Sequence, residues 1–268
     1  MKYEAKADDN GDGTGDTNQT TGSNTWPADT YPISNSRKLV STAAGYPVAK
    51  ISQTTSITAA SSYIANCDTG CHLMTEAEWM TIAQNVLSVA ANWSGGSVGS
   101  GYIYSGHNDN DPANAIEADP NGADDYYNTG NSSPSNQRRK LTLTNNEVIW
   151  DLAGNVYEWT QGTIASGRQP GLSGESAYAW KEWNDSSLLM NGLSASSQPS
   201  SIGISGVSGW SSTQGIGQLY SNYGETAAHA VRHGGTWNSN SYSGVLAQRL
   251  SNLPGDSNDS YIGLRVTK

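Results

Sequence analysis

Few residues in this sequence are placed to do chemistry, and most of the arrangements are incomplete. Cys67 and Cys71 stand four apart around Asp68-Thr69-Gly70. A thiolate can be a nucleophile or a metal ligand. A structural zinc site needs more ligands than this pair, and His72, His107, His229 and His233 do not fall at zinc-finger spacing. The pair therefore reads as a local disulfide, with free thiols as the alternative. Oxidised cysteines favour an extracellular, cell-surface or virion-surface setting. The stretch Asp8-x-Asn10-x-Asp12-Gly13 imitates the front half of a calcium loop. Its twelfth position is Gln19 rather than a bidentate Glu, and no helical pattern flanks it, so a solvated linker is expected. His107 with Asp109 and Asp111 could hold a metal or move a proton, but a solvated polar loop is the simpler reading. Ser, His and Asp are too plentiful for a hydrolytic triad to be read from sequence.

Composition narrows the classes. The chain has 268 residues, 35% hydrophobic and 14% charged, with 30 Gly, 9 Trp, 14 Tyr and no Phe. Such a chain is polar without being strongly charged, which points to turns, short strands and long loops rather than long helices. A formal net charge of −10 argues against nucleic acid and anionic membrane surfaces, and Arg138-Arg139-Lys140 is the only basic cluster. No apolar run is long enough to span a bilayer and no signal-peptide core opens the chain. Direct membrane insertion is not expected, and a leader or anchor would lie outside this chain.

The elements able to position these residues are short. Residues 1–25, rich in Asp, Gly, Asn and Thr, are expected to form a flexible arm. Residues 26–268 show neither a repeat nor a splitting linker and are expected to form one domain. Arg37–Val40 and Tyr46–Ile51 are strand candidates, and Ile57–Asn66 looks helical. The clearest helix runs from Leu73 to Leu87. Thr75 can cap it, Glu78 can reach back to the cap amide, and Trp79, Ile82, Ala83 and Val86 share one face. Residues 94–140 look irregular, and Leu141–Thr144 with Val148–Trp150 reads as a hairpin. The Gly/Ser-rich stretch 161–225 is pinned by Trp180, Trp183 and Trp210. The chain closes on Gly234-Gly235-Thr236-Trp237 and Ile262-Gly263-Leu264-Arg265-Val266, ends suited to strands that approach other backbone closely, around a polar middle.

Three blocks in order resemble the formylglycine-generating-enzyme type of C-type lectin-like domain. They are Leu73-Met-Thr-Glu-Ala-Glu-Trp79, Trp150-Asp-Leu-Ala-Gly-Asn-Val-Tyr-Glu-Trp159, and Gly234-Gly-Thr-Trp followed by Arg249, Pro254 and Ile262-Gly-Leu-Arg-Val266. The resemblance implies an α+β, C-type lectin-like fold of that subtype: two helices, a small antiparallel sheet, paired terminal strands and extensive irregular loops. Enzymes of that family use a cysteine pair between the two ends of the last block. Residues 238–261 contain no cysteine, so the fold is expected without the oxidase chemistry. By the same resemblance Glu158 stands where a carboxylate helps to hold a structural calcium, hydrogen bonding to local backbone being the competing role. No cofactor is otherwise required. Trp183-Asn184-Asp185 matches a tripeptide of calcium-dependent sugar lectins, but Gln169-Pro170-Gly171 lacks the acidic ligand of the companion loop. Trp183 is expected to pack a loop.

A closer resemblance is to the variable proteins of diversity-generating retroelements, which display a randomised binding surface on this fold. Trp237-Asn-Ser-Asn, Ala247-Gln-Arg249-Leu-Ser-Asn-Leu-Pro254 and Ile262-Gly-Leu-Arg-Val266 line up with their variable segment, here about 237–262. Diversification in that system acts at adenines, so Asn codons become other residues. The implied ligand-binding set is Ser239, Asn240, Tyr242, Ser243, Val245, Leu250, Ser251, Asn252, Asp256, Asn258, Asp259, Ser260 and Tyr261; Gln248 falls outside the accessible products. Gly234, Gly235, Trp237, Arg249, Gly263 and Arg265 would form the scaffold, with both arginines paired to buried or half-buried acceptors. Tyr gives contact area at low entropic cost and small polar residues adapt their hydrogen bonds, as in an antibody paratope. The implied function is non-enzymatic recognition of a protein or glycan ligand on another cell or virus. The alternative is a fixed, catalytically inactive formylglycine-generating-enzyme-like domain with a structural or adhesive role.

Overall fold

Ser52 opens helix α1, Gln53–Ser62, by accepting a hydrogen bond from Thr55 N. The helix expected at Ile57–Asn66 starts earlier because Gln53 is tied by tertiary bonds: its amide donates to the carbonyls of Thr160 and Gly162, both at 2.7 Å. Helix α2, Glu76–Leu87, begins as its sequence requires. Thr75 Oγ1 accepts from Glu78 N, and the Glu78 carboxylate accepts from Thr75 N at 2.8 Å, a complete capping box. Its inner face buries Trp79, Met80, Ala83, Val86 and Leu87, while Ile82 is only partly covered. Leu73, read as the first helical residue, belongs to a strand instead. The computed structural model describes residues 1–8, 10–15, 24–25, 38–67, 69–132, 135–202, 209–257 and 259–268.

The strands are β1 (Lys6–Asp8), β2 (Asn24–Thr25), β3 (Lys38–Val40), β4 (Val48–Ala49), β5 (His72–Leu73), β6 (Lys140–Thr142), β7 (Val148–Trp150), β8 (Tyr157–Ile164), β9 (Ala179–Lys181), β10 (Leu219–Ser221), β11 (His229–Gly234), β12 (Gly244–Arg249), β13 (Ile262–Leu264) and β14 (Val266–Thr267). Six of them form one sheet in the order β13-β8-β11-β12-β10-β9. It is mixed rather than purely antiparallel, since β13 runs parallel to β8 and β10 parallel to β12. The remaining strands pair as β1-β3, β14-β5, β2-β4 and the expected β6-β7 hairpin. The fold is thus α+β, with two helices and small sheets.

Paired positions on neighbouring strands send their side chains to the same face. The register therefore sets Leu264, Trp159, Arg232, Arg249, Tyr220 and Trp180 in one row across all six strands. The two faces of the sheet join different cores. Val231, with Trp79 and Val86 of α2, belongs to one cluster; Ala230 and Trp159, with Ala59 and Ala60 of α1, belong to the other. Three indoles pin backbone from within: Trp79 Nε1 donates to Val245 O, Trp183 Nε1 to Leu246 O and Trp159 Nε1 to Ile51 O, at 2.8, 3.0 and 2.7 Å.

The chain start departs from expectation. Residues 1–8 are not an arm but part of the core: Ala5 N donates to Leu264 O at 3.0 Å, Val48 N donates to Ala5 O at 2.8 Å, and Glu4, Ala5, Lys6 and Ala7 are buried. Composition misleads because the polar residues here have internal partners. Glu4 accepts from Asn155 Nδ2 at 2.6 Å, and Asp8 accepts from Gly11 N and Gly13 N at 2.7 and 2.9 Å, which closes the calcium-like turn on itself. Residues 16–23 of the expected arm, Gln19 and Arg37 lie outside the described residues.

Candidate functional site

The last segment leaves the sheet at a double glycine. Gly234 and Gly235 have φ of +90° and +91°, and a Cβ on Gly235 would fall 2.6 Å from Ser243 Oγ, so the turn requires glycine at that point. Gly263 is needed for a different reason, because its Cβ would lie 2.5 Å from the Val48 carbonyl oxygen. After the turn Thr236 N donates to Ser239 Oγ at 2.9 Å, a 3-10 turn covers Asn240–Tyr242, and β12 returns to the sheet. Trp237 is half-buried rather than a fully buried anchor.

Burial then divides the thirteen residues proposed for binding. Asn240 is exposed, and Tyr242 is 39% exposed. Ser251, Asn252, Asp256, Asp259, Ser260 and Tyr261 are half-buried, and Asn258 lies outside the described residues. Val245 and Leu250 must be removed from the set: both are 0% exposed and pack in the core, because β12 is covered on both faces. Ser239 and Ser243 are also buried. Ser243 Oγ donates to Gly234 O at 2.8 Å and sits 3.2 Å from Ser105 Oγ, so both serines hold the turn together instead of facing outward.

The exposed turn forms one wall of a polar cleft of about 320 Å³. Asn240 and Ser241 face Asn108, Asp109, Asn131, Ser212 and Thr213 across it. Sequence reasoning missed this far wall, because it comes from loops 94–140 and 161–225 with no periodic signal. His107 lies beneath the loop that carries Asp109 and is fully buried. Its Nδ1 is 3.1 Å from Gln137 Oε1 and its Nε2 2.7 Å from Pro112 O, so both ring nitrogens are engaged in fixing that loop.

On the other side of the turn Tyr242 stacks on Trp180, with ring centroids 4.5 Å apart and planes 2° apart. Trp180 leans on Tyr220 at 4.8 Å, and the Arg249 guanidinium covers Tyr220 at 4.6 Å. This ladder follows the cross-sheet row, and 161–225 contributes two of its rungs. Tyr261 packs against the second core cluster, and burial, reinforced by Asp259, raises the pKa of its hydroxyl.

Scaffold arginines behave differently from each other. Arg265 is buried and donates to Glu158 Oε1 at 2.6 Å and Oε2 at 3.0 Å, and to Trp150 O at 2.9 Å. Burial pushes the Glu158 carboxyl above its ordinary range against the pull of Arg265. Both oxygens of Glu158 thus accept from the Arg265 guanidinium, which is a side-chain partner rather than the local backbone expected as its competing role. Among the described residues the acceptor of the Arg249 guanidinium is a hydroxyl, its Nε donating to Ser251 Oγ at 3.1 Å, so the buried or half-buried acceptor expected for it is a weak one. Cys67 and Cys71 are bonded to each other beside β5. Trp183 packs in the core rather than presenting a sugar site, being 2% exposed.

A search among curated proteins finds no match. The model of the sulfatase-modifying factor enzyme 1-like domain matches residues 12–268, so it takes in both helices, the six-stranded sheet and the whole closing segment. The chain belongs to that family.

Proposed function

We propose that this chain is a non-enzymatic ligand-binding protein that displays a diversified surface on the family scaffold, in the manner of the variable proteins of diversity-generating retroelements. The observation that carries the reading is the partition within 239–261. Strand β12 is buried as far as Gln248 and pinned by the Trp79 and Trp183 indoles, and Ile262–Leu264 is buried, while Asn240, Ser241 and Tyr242 are exposed beside a polar cleft and the described residues of 251–261 are half-buried or exposed. Positions of the second kind can change without unpacking the first. A tyrosine with small polar neighbours gives adaptable contact at low entropic cost. The ligand is a protein or glycan on another cell or virus, met outside the cell, and the bonded Cys67–Cys71 pair suits that setting.

The absence of cysteine from 238–261 supports the non-enzymatic part of the proposal, because no other residue there supplies a thiolate. The test is genomic. A reverse transcriptase beside the gene, together with a near-copy of this segment carrying adenines at the codons for 240–261, is expected. A complete locus lacking both would reduce the chain to a fixed structural or adhesive domain.

A further inference from the structure

The row across the sheet places two arginines side by side with too little negative charge to match them. Arg232 is 0% exposed. Its Nη1 lies 3.5 Å from Asp259 Oδ2, its Nη2 3.3 Å from Ser251 Oγ, and its Nε has no partner among the described residues. The guanidinium rests on the Tyr157 ring at 4.8 Å, and the buried Tyr157 hydroxyl is likewise unpartnered among the described residues. Arg249 is the register partner of Arg232 and stands half-exposed in front of it, donating through Nε to the same Ser251 Oγ. Asp259 is shared further, since it also accepts from Asn252 Nδ2 at 2.9 Å. Burial, then the neighbouring Arg249 charge, brings the Arg232 guanidinium down to about 10.

Among the described residues, two guanidiniums against one half-exposed carboxylate leave a surplus of one positive charge. A buried charge is tolerated when it is paired and its hydrogen-bonding groups are met, and this pair is neither fully paired nor fully met. The terminal nitrogens of Arg249 form the planar fork that binds a carboxylate through two parallel hydrogen bonds. Arg249 is itself half-exposed, and its Nε donates to Ser251 of the proposed binding set.

We propose that Arg249, backed by Arg232 and with Ser251 between them, is an anion-binding subsite that takes a carboxylate carried by the ligand. A monoanion neutralises the corner, which favours a carboxylate over a doubly charged phosphate. Arg249 contacts the ligand, and Arg232 acts behind it as a fixed charge. The subsite rests on the reading of this face as ligand-binding and names the chemistry of part of that ligand. Acetate probes it without the natural ligand, so its failure would leave the diversified face to stand or fall on its own locus.

The experiment is a titration of the full chain with sodium acetate, and in parallel with sulfate and phosphate, in low-salt buffer. It is followed through the arginine Nε–H resonances and by calorimetry. Acetate is expected to give a saturable shift of Arg249. The R249Q variant should bind at least about tenfold more weakly, the loss of a charge-assisted bond, with R249K between the two. D259N, which removes the competing carboxylate, should tighten acetate binding. No response of the wild type, an equal response in R249Q, or a preference for phosphate would overturn the proposal. Should R249Q fail to fold, D259N decides alone, and unchanged or weaker binding there would overturn it.

Discussion

Arg265 and Arg232 are both fully buried, and both lie against the same sheet, one beside β13 and the other on β11. Arg265 meets both oxygens of Glu158 and the Trp150 carbonyl within 3.2 Å. Arg232 reaches a carboxylate, its only one among the described residues, at 3.5 Å and shares it with Asn252. Arg139 follows the first pattern, with Asp151 on two of its nitrogens and the carbonyls of Glu117, Tyr127 and Ile116 around it. A buried guanidinium satisfied inside the protein is scaffold. One left short of negative charge, behind the half-exposed Arg249, is in the proposed subsite a fixed charge rather than scaffold.

That contrast can be broken most severely at Glu158. Removing one partner of a buried, hydrogen-bonded ion pair costs about 3–5 kcal/mol because the other charge is left unpaired. The substitution Glu158→Ala is therefore expected to lower unfolding free energy by that much in a denaturant titration. Arg249→Gln is expected to change stability by less than about 1 kcal/mol, since the residue is half-exposed and its loss relieves repulsion on Arg232. A loss at Arg249 as large as at Glu158 would erase the distinction between the two corners. Between them falls Tyr261→Ala: the ring packs on the second core cluster, so a loss of about 1–3 kcal/mol is expected. Tyr242→Ala removes only a surface stack on Trp180 and should cost about 0.5–1.5 kcal/mol while weakening ligand binding.

The smallest effect lies at a half-buried pair on the scaffold side. The Gly70 carbonyl, and then Glu78, hold His72 above its ordinary pKa. A raised folded value means that His72 contributes stability fully below its unfolded pKa, about 6.5, and that this is lost as pH rises through the folded value. His72→Ala should therefore destabilise measurably in mildly acidic buffer and hardly at all in alkaline buffer. A difference that grows with pH would show that Glu78 is not the partner that matters.

How much of this could be read in advance depended on whether the signal was local. The α2 capping box from Thr75 and Glu78, the β6-β7 hairpin and the close approach at Gly263 are written in adjacent residues, and they appear where the sequence places them. The two terminal blocks likewise frame the site. What escaped was long-range. Val245 and Leu250 looked like ordinary members of a variable stretch, and only their burial in the core beside α2 and Trp183 removes them. Residues 1–8 looked solvated because their partners are distant in sequence: Asn155 for Glu4, and Val48 and Leu264 for Ala5. Arg232 carried no motif at all. Its meaning comes from register, which set it beside Arg249 and away from a full carboxylate partner.

The central claim is that buried and exposed positions within 239–261 are separable, and that only the second kind is free to vary. Deep sequencing of the coding segment across a natural population tests it most directly. The expected result is residue spread at Asn240, Tyr242, Ser251, Asn252, Asp256, Ser260 and Tyr261, with Gly235, Val245, Leu250, Gly263 and Arg265 constant. A uniform segment, or equal spread at Val245 and Leu250, would contradict it.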